Sequence, residues 1–147
     1  MNGREQVQSC AAEAQGITVK EQSYGYEVIL PHLMPKRNHR NHTVFLLEPL
    51  TYALKEFTAA HPICRLEYAL IWFIYEYTED TPIHCIRDYD NIETKEVLDI
   101  INSFFLLDDG GAFCELHYST RRGNRNGTRV IISSDIGLVS CQKINGN

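Results

Sequence analysis

From Leu66 to Tyr77 the chain is apolar on nearly every face, with Trp72 in its middle. A helix with no polar stripe to show to water has to be buried, so this segment is predicted to be the central helix around which the rest packs. Its longest apolar run, Leu66 to Tyr75, is about half of the roughly 20 residues needed to cross a bilayer, and no membrane span is expected. With 147 residues, 44% of them hydrophobic, the chain suits one domain with one core. A core of that size needs neither disulfide nor metal. Cys10, Cys64, Cys85, Cys114 and Cys141 contain no Cys-x-x-Cys pair and give neither a disulfide framework nor a zinc knuckle. The first residues lack the apolar stretch of a signal peptide, so a reducing cytoplasm is the expected setting.

On either side of this segment the pattern is helical. Pro49 suits a first helical turn, and Leu50, Ala53, Leu54 and Phe57 share one face until His61-Pro62 stops the run. After Glu79-Asp80-Thr81-Pro82 comes a short amphipathic piece, Ile83 to Tyr89. A cleaner helix then runs from about Ile92 to Leu107, with Val97, Ile100, Ile101 and Phe104 as its buried stripe. Beyond Gly110-Gly111 the period becomes two. Cys114, Leu116 and Tyr118 alternate with polar residues, Arg129 to Ser133 is β-rich, and Gly123 to Gly127 reads as a hairpin turn between them. Residues 1–42 read as an N-terminal extension holding one strand, Tyr26 to Leu30, and ending in a basic arm of Lys36, Arg37 and Arg40. Residues 43–147 read as the folded domain. The order of helix, helix, short helix, helix and β-hairpin is that of an α+β winged helix-turn-helix with a β-hairpin wing.

A net charge of -5 argues against a protein held to nucleic acid by overall charge. The distribution is uneven, however: ten acids lie between Glu76 and Asp109 against Arg87 and Lys95, whereas Arg121 to Arg129 holds four arginines and no acid. The six histidines are scattered with no ligand spacing, and no nucleophile elbow, P-loop or dinucleotide fingerprint is present. Neither an enzyme nor a cofactor or metal is expected.

The segment from Arg65 to Ser134 resembles the MarR superfamily of winged-helix regulators, particularly its SarA/Rot-like branch. That resemblance implies a bacterial transcriptional regulator bound to duplex DNA, its second helix, about Glu93 to Phe105, in a major groove and its hairpin on the backbone or minor groove. Thr94, Lys95 and Asn102 then lie nearest the bases, and Arg121, Arg122, Arg125 and Arg129 form the wing. Arg122 and Arg125 are expected to be dispensable for folding. Only Asp135 to Asn147 follow the wing, so a homodimer is expected through the N-terminal region. Some members of the family use a lone cysteine as an oxidation switch, which singles out Cys64 and Cys85, although a place in the core is the commoner role for such residues. The alternative is a winged-helix adaptor whose acidic 76–109 surface binds another regulatory protein.

Overall fold

The computed structural model describes residues 16–34, 40–86, 92, 94–107 and 114–134. Along the chain these form β1 (Thr18–Gln22), β2 (Gly25–Leu30), α1 (Arg40–Ala60), β3 (Ala69–Thr78), a 3-10 turn (Ile83–Cys85), α2 (Lys95–Phe105), β4 (Cys114–Gly123) and β5 (Gly127–Ser133). The strands make one sheet in the order β1-β2-β5-β3-β4, in which β3 and β4 are parallel and every other pair is antiparallel.

The winged helix-turn-helix is overturned at its centre. The segment expected to be the core helix is strand β3, hydrogen-bonded on both sides. Its sequence, Ala-Leu-Ile-Trp-Phe-Ile-Tyr-Glu-Tyr-Thr, is rich in β-branched and aromatic side chains, which suit a pleated surface better than a helical one. A strand in the middle of a sheet packed on both faces must be apolar at successive positions, and so loses the alternation that marks a half-exposed strand. The odd-numbered residues Ala69, Ile71, Phe73, Tyr75 and Tyr77 join the main core with Leu46, Leu50 and Leu54 of α1 and Val97, Ile101 and Phe105 of α2, so both helices cover one face. The even-numbered Leu70, Trp72 and Ile74 form a second buried cluster with Ile131 on the other face.

With strand β3 where the core helix was expected, α2 is not the second member of a helix-turn-helix. It is the crossover that two parallel strands require, carrying the chain from β3 to β4. The expected wing is not a hairpin either. β4 and β5 are joined by Asn124–Asn126 but lie on opposite sides of β3, so the connection passes over the end of that strand. Asn126 Oδ1 accepts the Thr78 backbone N–H there at 3.0 Å.

Part of the segment read from sequence as an N-terminal extension lies in the sheet. β2 includes the predicted strand Tyr26 to Leu30, but it is built into the sheet against β5, and β1 extends the sheet beyond it. Residues 18–30 are thus strands of the sheet and not a separate arm. The basic arm at Lys36 and Arg37 lies outside the described residues, as do Cys10 and Cys141. Helix α1 starts well before Pro49, which sits inside it.

Candidate functional site at the end of strand β3

The register places Glu27 of β2, Arg129 of β5, Glu76 of β3 and Arg121 of β4 on the sheet face opposite the helices. Acid and base alternate across four neighbouring strands. Arg129 donates through Nη1 to Glu27 Oε1 at 2.8 Å and through Nε to Glu76 Oε1 at 2.5 Å. Arg121 Nη2 donates to the same Glu76 oxygen at 3.0 Å, and Gln22 of β1 reaches Glu27 Oε2 at 3.3 Å. The acids are the buried members, with side chains 9% and 14% exposed, whereas the Arg129 and Arg121 side chains are 37% and 42% exposed. Burial pushes the Glu76 carboxyl up, but the hydrogen bonds and charges of Arg121 and Arg129 together outweigh it and hold it below the usual carboxylate range. For Arg129 burial works against the charged form, and Glu76 and Glu27 more than restore it. Gly123 leaves room for this arrangement, since a Cβ there would lie 2.7 Å from Glu76 Oε2.

Just beyond β3 the chain turns back through Thr78 to Thr81, where Thr81 N–H donates to Thr78 O at 3.0 Å and the two threonine hydroxyls lie 2.8 Å apart. Arg122 Nη1 braces this turn by donating to Thr78 O at 2.8 Å and Thr81 O at 2.6 Å. The following 3-10 turn is closed by Cys85 N–H to Pro82 O and Ile86 N–H to Ile83 O. Its outward residue, Ile83, is 82% exposed.

The residues expected to read DNA are therefore scattered. Thr94 is buried before α2, its hydroxyl 3.4 Å from that of Tyr118, and Asn102 is only 2% exposed, so neither can reach a base. Lys95 is exposed at the start of α2. Arg121 and Arg129 face Glu76, Arg122 holds backbone carbonyls, and Arg125 is exposed at the crossing turn. Duplex DNA as partner and transcriptional regulation as role both lose the helix-turn-helix and wing on which they rested. The winged-helix adaptor falls with them: of its acidic surface, Glu76 is paired within the sheet.

Sequence reasoning missed Glu76, Glu27 and Ile83. A signal existed for the first two, each being a lone carboxylate in an apolar strand, a setting that demands a partner. Cys64 and Cys85, for which a core place was the commoner expectation, are both exposed. Cys114 is half-buried, and burial pushes its thiol up against a hydrogen bond from Asn102. Along β4, His117 Nε2 and Glu115 Oε1 are 2.8 Å apart, and Trp72 Nε1 donates to Ser119 Oγ at 2.6 Å. Among the described residues no three His, Cys, Asp or Glu side chains come together to hold a metal.

The contrast between Arg122 and Arg125 is directly measurable. Arg122→Ala is expected to cost about 1–2 kcal/mol in urea unfolding, because two charge-assisted bonds to carbonyls are lost. Arg125→Ala, at the exposed turn, should stay within about 0.5 kcal/mol.

A family model for a family of unknown function (DUF6100) matches residues 1–136. The chain belongs to DUF6100. No curated protein matches this DUF6100 chain. Three solved structures of the periplasmic domain of Helicobacter pylori MotB resemble it. The one spanning residues 90–256 is 13% identical at a TM-score of 0.48, with 94% of each chain covered. Those spanning 97–256 and 78–256 are each 14% identical, at TM-scores of 0.43 and 0.44; they cover 87% and 88% of this chain and 95% and 90% of their own. At such scores no site or role is carried across. Among the described residues of the DUF6100 chain no helix is long and apolar enough to cross a membrane. The cytoplasmic setting expected from sequence finds no support in these matches.

Proposed function

We propose that this chain is a non-catalytic domain that binds a protein partner at the end of the sheet where β3 stops, with Ile83 as the anchor. The observation that carries this reading is the combination of 82% exposure with a braced backbone at Ile83. A large aliphatic side chain left in water gains on the order of 2 kcal/mol when a socket covers it. Because the 3-10 turn is closed by its own backbone bonds and the turn before it is held by Arg122, little ordering entropy opposes that gain. The partner that fits is a protein with an apolar socket and a polar rim, since the neighbouring residues carry both signs: Glu79 and Asp80 before the 3-10 turn in sequence, and Arg122 bound to Thr81 O. The two acids repel an anionic bilayer. A non-catalytic role is supported by the use of Glu27, Glu76, Arg121, Arg122 and Arg129 in holding the sheet and its turns.

The test is a photo-reactive residue in place of Ile83, expressed in the organism's own cells, with the same residue at exposed Lys55 on α1 as control. Discrete protein adducts specific to position 83 are expected. Ile83→Asp should compete poorly for the captured protein while unfolding within about 0.5 kcal/mol of the parent. Identical adducts from both positions, or none from position 83, would refute the reading.

A further inference from the structure

We propose that Arg121 and Arg129 form a cradle for one carboxylate of an acidic segment on the partner, an inference that rests on the protein-binding reading above. Both guanidinium groups donate to the same oxygen of Glu76 and so lie side by side on the sheet face. Each guanidinium has five N–H donors. Among the described residues their bonds to Glu76 and Glu27 use Nη2 of Arg121 and Nε and Nη1 of Arg129, so other N–H donors of both guanidinium groups are not spent on these two acids. These side chains are 42% and 37% exposed, whereas the carboxylates beneath them are buried. Glu76 is a positioning residue here. It fixes two long side chains that would otherwise lose rotamer freedom on binding, and fixed planar forks match a carboxylate geometrically.

The same arrangement selects among anions. Two arginines over two glutamates make the cradle neutral, so binding there rests on the unspent planar donors and not on surplus positive charge, which a phosphate dianion would need. A single carboxylate needs only the unspent donors. The site also lies close to the end of β3, two residues short of the braced turn, so a partner seating Ile83 is placed to lay an acidic side chain across it.

The experiment uses the full chain labelled with nitrogen-15, following the arginine Nε–Hε resonances while blocked tetraglutamate, blocked tetraglutamine or inorganic phosphate is added at low salt. Tetraglutamate should shift Arg121 and Arg129 saturably and more tightly than phosphate, and tetraglutamine should leave them in place. Arg121→Ala should weaken tetraglutamate about three- to five-fold, the range of a partly exposed ion pair. Arg121→Lys should not restore the affinity, because an ammonium lacks the planar fork. Shifts that never saturate, phosphate binding as tight as tetraglutamate, or unchanged affinity in a folded Arg121→Ala chain would each overturn the cradle. Trp72 fluorescence verifies the fold of each variant. If the titration fails while adducts at position 83 persist, only the cradle is lost; if those adducts fail while tetraglutamate still binds, it is the protein-docking reading that is lost.

Discussion

Gly25→Ala is expected to lower the unfolding free energy by about 3 kcal/mol or more, the largest single-methyl effect in the described fold. Two independent costs act together. Gly25 has a φ of +146°, a conformation that L side chains rarely adopt. An added Cβ would also lie 2.1 Å from the carbonyl oxygen of Ile132, an overlap with backbone that no rotamer change relieves. Gly25 begins β2 directly after the tight turn from β1 and pairs with both Gln22 and Ser133, so the clash falls where three strands meet. Urea unfolding followed by the single tryptophan, which is buried against Ile131 and Ser119, gives the measurement. A loss below about 1 kcal/mol, no more than an ordinary substitution, would show that the β1–β2 turn relaxes without harm and that this register is wrong.

Glu76→Gln is the second large effect, expected to cost about 2 kcal/mol at neutral pH. Breaking a fully buried ion pair costs more, roughly 3–5 kcal/mol, and the discount reflects the water that reaches both arginines. The pH dependence follows from the carboxyl being held below its ordinary range. A group whose folded pKa is depressed contributes its full stabilisation above the unfolded value of about 4.3. That contribution is lost as pH falls through the lower folded value. The parent should therefore weaken steeply below about pH 4.3, and Glu76→Gln, already without the contribution, should show a shallower acid limb. Parallel acid limbs for the two proteins would mean that Glu76 is not the linked group.

How much of this was legible in the sequence depends on which physical signal each element leaves. Helix α2 was found because Val97 and Ile101 repeat at helical spacing beneath an exposed Lys95, Glu96 and Asp99. β4 and β5 were found as extended segments because one is a half-exposed edge of the sheet with alternating residues and the other is a run of Val and Ile. β3 was misread because a strand buried on both faces has no periodicity to tell it from a buried helix. Only its β-branched and aromatic composition separates them. That one error carried the winged-helix order, since with β3 in place of a core helix α2 becomes the crossover between two parallel strands. The pairing of β4 and β5 with β3 instead of with each other leaves no local trace at all. A three-residue connection with Gly and Asn serves a hairpin and a strand-crossing turn equally well. The arginines stand out in the sequence as a concentration of charge, but the acids that Arg121 and Arg129 pair with, Glu76 and Glu27, are about 45 to 100 residues away and had to be supplied by the fold.

The place of β5 between β2 and β3 governs the order in which this chain can fold. The β1–β2 hairpin and the β3-α2-β4 unit each form from neighbouring sequence, yet neither touches the other within the sheet until β5 is inserted. As the polypeptide leaves the ribosome, two half-sheets wait with open edges, and their closure involves pairing Gly25 with Ser133 across more than a hundred residues. Those waiting edges are the stage at which the chain is most exposed to aggregation. A chain cut before Gly127 would not be a smaller version of the domain but two fragments without the strand that joins them.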